Sequence, residues 1–142
     1  MSFGQAISTC FKKYVTFNGR ASRSEFWWFF LFVYVVGAVL YFLDGAMGLQ
    51  IGASSQEMNI GGTVVPFNNP GVGVLSLIWG LVTLLPGISV MVRRVHDSDK
   101  SGWLVLLGYV LMLACGIGTI LLLVLALLKS TPGDNKYGSA NA

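Results

Sequence analysis

Residues 26–43 read FWWFFLFVYVVGAVLYFL, eighteen residues without a charge, held between Glu25 and Asp44. As a helix this run just crosses a hydrocarbon layer of about 30 Å. Trp27, Trp28 and Tyr41 fall near its ends, where amphipathic rings prefer the headgroup layer. A second run, residues 71–92, reads GVGVLSLIWGLVTLLPGISVMV. Pro86 lies inside it and is expected to kink the helix, because its ring removes a backbone hydrogen bond. Bilayer helices tolerate such a proline when neighbours satisfy the freed carbonyl. A third run, residues 103–128, is also uncharged but is interrupted by Cys115-Gly116-Ile117-Gly118. One helix over that run would measure about 39 Å, enough to span with tilt. A re-entrant hairpin turning at the glycines is the alternative, with arms too short to cross. Length favours the single, broken helix, and that is the expectation adopted.

The rest of the composition agrees with a bilayer as solvent. Only 11% of the 142 residues are charged and 54% are hydrophobic, whereas a soluble domain carries about a quarter charged residues. That excludes an ordinary soluble domain and a disordered tail. The fold class expected is an all-α integral membrane protein of one domain over residues 1–142, a small bundle of three hydrophobic segments with an amphipathic N-terminal helix and a tail over 129–142. The sequence pI near 9.0 is explained by membrane topology, so no nucleic-acid partner is expected. The first 25 residues have no apolar core ending in a cleavage site. Cys10 and Cys115 stand far apart and form no CxxC pair; both read as small apolar packing residues.

Charge placement sets the orientation. Residues 1–25 hold Lys12, Lys13, Arg20 and Arg23 against Glu25, and the connection RRVHDSDK (93–100) holds three more bases. Residues 44–70, rich in Gly, Asn and Ser, hold none and read as an irregular outward loop, in which Thr63-Val64-Val65 could form a strand. Bases are retained on the cytoplasmic side, so the N-terminus and 93–100 should face the cytoplasm. Three crossings would leave Lys129 and Lys136 outside; a hairpin would bring all nine bases inside. Ten of the fifteen charges lie in residues 1–25 and 93–100, which marks one face as the place to look for function.

Phe3, Ile7, Cys10, Phe11 and Tyr14 recur at helical spacing, predicting an amphipathic helix over about 3–17 that lies on the membrane surface or packs against the helix ends. Asn18-Gly19 should end it. Ser22-Arg23-Ser24-Glu25 has capping-box spacing, with Ser22 as cap and Glu25 reaching back.

Three ordered motifs then become specific: Gly19-Arg20-x-x-Arg23-x-Glu25-x-Trp27, Arg93-Arg94-x-His96-Asp97-x-x-x-Ser101-x-Trp103, and Thr131-Pro132-Gly133-x-Asn135-x-Tyr137-Gly138. From Phe11 to Gly138 the chain resembles the bacterial inner-membrane family called domain of unknown function 805. The main departure is the Gly-rich loop between the first two runs, which is longer than usual for that family. The resemblance implies a multi-pass protein of the bacterial inner (plasma) membrane and carries no activity with it.

The two polar clusters admit two readings. In the structural one, Arg20, Arg23, Arg93 and Arg94 pair with Glu25, Asp97 and Asp99 to tie helix ends together, because unpaired charges are costly in a partly dehydrated layer. Trp27, Trp28 and Trp103 are then interface anchors. In the sharper one, the four arginines near the N-terminal ends of two helices, with His96, form a binding site for an anion or an anionic lipid headgroup. His96 beside Asp97 would then be a pH-responsive ring or a general base. No nucleophile elbow, phosphate loop or metal motif accompanies them, so no catalytic residue, metal or cofactor is assigned. The function expected is that of a non-enzymatic interaction or regulatory component whose partners are the lipid bilayer and another membrane protein or further copies of itself. An oligomeric channel or transporter subunit is the alternative, and an interfacial lipid-directed enzyme comes third.

Overall fold

A computed structural model describes residues 1–139; the last three residues of the expected tail lie outside the described ones. The elements run α1 (Phe3–Lys12), α2 (Arg23–Met47), β1 (Gln50–Ile51), β2 (Ser54–Ile60), β3 (Thr63–Asn69), β4 (Val72–Gly73), α3 (Val74–Asp97), α4 (Trp103–Cys115) and α5 (Gly118–Leu127). The chain divides into two compact units: Met1–Phe32 with the chain from Leu84 onward, and Val33–Thr83. Helices α2 and α3 contribute to both.

These two helices are the long apolar ones, with 25 and 24 residues, and each contains an eighteen-residue stretch of high mean hydropathy, 2.2 and 2.0. At 1.5 Å per residue each is about 36 Å long, which exceeds an apolar layer of about 30 Å. Helix α2 outruns the expected 26–43 at both ends, and α3 outruns the expected 71–92 at its C-terminal end. Helix α2 starts at Arg23 because the Ser22 hydroxyl accepts the Glu25 N–H at 3.2 Å. Helix α3 starts later than expected, because Val72 and Gly73 pair with Gln50 and Ile51. It then continues to Asp97, so Arg93, Arg94, His96 and Asp97 ride on its last turns rather than in a connecting loop.

In the unit Val33–Thr83, the expected irregular loop is an ordered antiparallel hairpin. Strands β2 and β3 pair from Ser54↔Asn69 to Ile60↔Thr63, so the all-helical expectation is corrected here. Gly61 and Gly62 both have positive φ (59° and 88°), the conformation that a two-residue hairpin turn requires and glycine accepts without strain. Asp44 is wholly buried. Its carboxylate accepts the N–H groups of Leu75 and Ser76, each at 2.9 Å, and the Ser76 hydroxyl at 2.7 Å. It therefore caps the N-terminus of α3, where orphan N–H groups and the helix dipole favour an anion. Trp79 Nε1 donates to the Val33 carbonyl at 3.0 Å, and its ring lies over Gly37.

In the other unit, α1 is shorter than the expected 3–17. A Ser2/Gln5 capping box opens it, and it stops at Lys12. Asn18-Gly19 shapes the connector instead, Gly19 having φ +90°. Ala6 and Cys10 are buried, Phe3 meets Trp28 edge-on at 5.6 Å, and Phe11 meets Phe29 at 5.9 Å. The aromatic face thus packs on the start of α2. Ser89 fastens the connector as it leaves α1, donating to the carbonyls of Lys13 (3.0 Å) or Thr16 (2.6 Å).

The third apolar run breaks at the expected place, between Cys115 and Gly118, into two antiparallel helices, which is the hairpin alternative rather than one helix. Gly116 ends α4 with φ 74°, and its N–H returns to the Met112 carbonyl at 3.0 Å. This left-handed cap is one that glycine adopts readily. Gly118 is buried against the Gly108 carbonyl and the Met112 nitrogen, and a Cβ on Gly108 would stand 2.6 Å from Leu122 Cδ2. The two glycines allow the arms to meet closely. At about 20 and 15 Å, neither arm reaches across a full layer.

Gly118→Val is expected to lower stability by at least about 1–3 kcal/mol, since the added methyls meet backbone rather than a movable side chain. Gly80→Ala, where nothing lies within 4 Å of the new Cβ, should leave it unchanged. Thermal unfolding of the two variants in one detergent compares them directly, and equal melting temperatures would contradict the glycine contact.

Candidate functional site: a buried ion-pair cluster

The site assembles where the start of α2, the end of α3, the end of α5 and the tail meet. Asp97 is its hub. Arg20 Nε donates to Asp97 Oδ1 at 2.8 Å and Arg94 Nη1 to Oδ2 at 2.6 Å, with side chains no more than 2% exposed. The Ser130 hydroxyl also donates to Oδ2. A second pair lies beside it, Arg93 Nη1 to Glu25 Oε1 at 2.5 Å, equally buried. Charge-assisted bonds of this length are the strong ones, and they explain why Glu25 abandons the capping box. Only the Ser22 half of that box forms; the carboxylate turns to Arg93 instead of its own backbone.

The remaining donors of Arg94, Arg23 and Arg20 go to carbonyls. Arg94 Nε takes Ala126 O at 3.0 Å and Arg94 Nη2 takes Leu128 O. Arg23 Nη2, more exposed, lies 3.3 and 3.2 Å from Leu127 O and Leu128 O. These carbonyls belong to the end of α5, where a helix leaves its last acceptors without internal partners. Cations there also meet the negative end of the dipole. Arg20 reaches the tail through Gly133 O (2.6 Å) and Thr131 O (2.8 Å).

Two parts of the sequence reading are corrected. Arg93 and Arg94 lie at the C-terminal end of α3, so four arginines do not converge on helix N-termini, and internal acceptors engage the guanidiniums of Arg20, Arg23 and Arg94. Asp99 stands outside the cluster. It has a left-handed backbone (φ 55°) and faces Lys136 at 3.9 Å on the surface, a separation and exposure that make the pair weak. His96 is 8% exposed and its ring stacks on Tyr137, centroids 3.8 Å apart and 5° from parallel. Trp27, Trp28 and Trp103 are all exposed, as anchors would be, and Trp28 also carries Phe3.

The reading of the residues alone missed the tail's part. Thr131 N–H donates to Asp97 O at 2.9 Å, and Asn135 Nδ2 to His96 O at 3.0 Å. The third motif, Thr131 to Gly138, was the available signal. Arg93 Nε and Nη2 and His96 Nδ1 are buried without a hydrogen-bond partner among the described residues. Among these residues no three His, Cys, Asp or Glu side chains gather as a metal site would need. Burial and the neighbouring Glu25 carboxylate push the Cys10 thiol up to about 12, so it remains a thiol near neutral pH and is a poor nucleophile.

Two long apolar helices, joined at a buried ionic cluster to a hairpin of short apolar helices, define a small helical membrane protein. The chain belongs to the family described as protein of unknown function (DUF805), whose profile matches residues 14–139. It is similar to inner membrane protein YhaH of Escherichia coli (strain K12), 35% identical over 127 residues that cover 89% of this chain and 88% of that one. It is also similar to inner membrane protein YhaI of the same strain, 34% identical over 128 residues covering 90% and 87%. No solved structure gives a significant match.

Removing one partner of the second pair, as Arg93→Met or Glu25→Met, is expected to lower stability by about 3–5 kcal/mol, whereas the double replacement recovers most of that loss. Chemical unfolding of the four proteins gives the coupling, and strictly additive losses would contradict the pairing.

Proposed function

We propose that this chain is a multi-pass inner-membrane protein with both termini in the cytoplasm, acting as a non-enzymatic interaction or regulatory component. One observation carries the orientation. All nine Lys and Arg residues lie in the unit that holds both termini, and residues 33–83 contain none. Retention of bases on the cytoplasmic side then assigns that unit to the cytoplasmic end and the β2–β3 hairpin to the periplasm. In this reading α2 and α3 are the crossings and α4–α5 is a re-entrant hairpin, which keeps Lys129 and Lys136 inside. This replaces the three-crossing expectation.

The role follows from what the charged groups contact. Arg20, Arg94, Glu25 and Asp97 are buried and engaged with one another or with backbone, so the cluster acts as an architectural clamp. The surface left for partners is the exposed cytoplasmic rim of Lys12, Lys13, Lys100 and Lys129.

Single cysteines in a Cys10→Ala, Cys115→Ala background test the orientation. In intact cells, Asn59→Cys should react with a membrane-impermeant maleimide and Ser139→Cys only after the inner membrane is opened. Labelling of Ser139→Cys from outside would refute the re-entrant reading. Photo-crosslinking residues at Lys100 and Lys129 test the interaction role. A discrete adduct that persists in the Arg93→Met, Glu25→Met double variant supports a clamp beneath a docking face, whereas no adduct from either position would count against it.

A further inference from the structure

A groove of about 720 Å³ opens beside the cluster, between the end of α3 and the start of α4. That volume lies within the range of small-ligand sites. Phe17, Val92, Trp103 and Leu106 form its apolar wall, while His96 and Ser101 supply the polar edge. Three features call for an occupant that is part apolar and part anionic. Trp103 stands 76% exposed and Leu106 53%, an arrangement suited to lipid rather than water at the end of an apolar helix. His96 is more than nine-tenths buried, stacks on Tyr137 and brings Nε2 to the Gly102 wall of the groove. The groove is also flanked by cations. Lys100 is exposed two residues before Gly102, and Lys136 Nζ lies 5.0 Å from the centre of the Tyr137 ring that lines the groove. Asp99 shares Lys136 at 3.9 Å, but both side chains are about half exposed or more, so this pair offsets little of the field.

The geometry points to a binding site for one anionic phospholipid, its acyl chain along Phe17, Val92, Trp103 and Leu106 and its phosphate toward Lys100, Ser101 and Lys136. This differs from the arginine site expected at first, because those guanidiniums already bind carboxylates and carbonyls. Gly102 keeps the groove open at one wall. A Cβ there would stand 2.8 Å from Val92 Cγ1 and 3.1 Å from His96 Nε2, so the bare backbone leaves space between them. The inference rests on the proposed membrane location but not on its assignment of sides.

The test uses the full chain in phosphatidylcholine nanodiscs doped with a minor fraction of either brominated phosphatidylglycerol or brominated phosphatidylcholine. Subtracting the fluorescence of Trp103→Phe isolates the Trp103 signal. Per brominated lipid, phosphatidylglycerol is expected to quench that signal about fivefold more strongly, the gain that one lysine near an anionic headgroup supplies. Lys100→Gln with Lys136→Gln should bring the two lipids close to parity without moving the melting temperature. Equal quenching in the unaltered protein would mean that bulk lipid merely wets the groove. Quenching by neither would mean that a second copy of the chain covers it. Either result overturns the proposal, while the cysteine labelling reports separately on the orientation.

Discussion

The Asp97 carboxylate, with its side chain 1% exposed between Arg20 and Arg94, is the constraint on which the rest of this architecture depends. Removing an ion from water costs several kcal/mol even after relaxation, and attraction to a partner offsets that only with good geometry and every remaining donor engaged. One carboxylate between two guanidiniums cannot supply all the acceptors. The surplus donors must find oxygens elsewhere, and those within reach belong to the end of α5 and to the tail. The ionic hub therefore recruits backbone from segments more than thirty residues away in sequence. Arg94 takes Ala126 O and Leu128 O; Arg20 takes Thr131 O and Gly133 O. Breaking the hub would strand these carbonyls together with the charges.

That recruitment decides the path of the third apolar run. A helix end in an apolar layer needs partners for its last carbonyls. If residues 103–128 crossed as one span, Leu127 and Leu128 would lie far from Arg23 and Arg94, and the arginines would lose their acceptors. Turning back at Gly116 places the end of α5 against them. The break at Gly116 and Gly118 and the arginines at 23 and 94 are thus two halves of one solution. Close packing at Gly108 and Gly118 makes the turn compact, and the cations hold its open end.

This coupling also explains what could and could not be read in the chain. The apolar runs at 26–43 and 71–92 announce themselves, because hydropathy over a helix length is a local property. So do the polar residues of the hub, since charged side chains beside apolar runs need partners. The third run was ambiguous for a physical reason: length and charge placement pointed opposite ways, and a contact between Arg94 and Leu128 resolves them. The extension of α3 through Arg93–Asp97 is hidden because a run of charge beside an apolar stretch suits a loop, while here it marks a helix end. The β2–β3 hairpin was hidden because Gly61-Gly62 reads as generic loop composition until its flanking strands are paired. Glu25 shows the same limit in a single residue. Its spacing from Ser22 is right for a capping box, yet a cation 68 positions away outcompetes the local bond.

Helix α3 carries opposite chemistry at its two ends. Asp44 caps its N-terminus with a buried carboxylate, and its last turn carries Arg94 and His96, with Arg93 just before them. Both choices agree with the helix macrodipole. Asp97, at the same end, would oppose it, and the bridging guanidiniums of Arg20 and Arg94 neutralise that anion. In the proposed orientation, the bases that satisfy the C-terminal ends of α3 and α5 are also those that retention on the cytoplasmic side counts. Dipole compensation and membrane orientation therefore make the same demand on the sequence here. A chain with so few charges meets both by placing cations at helix C-terminal ends and the buried Asp44 at a helix N-terminus.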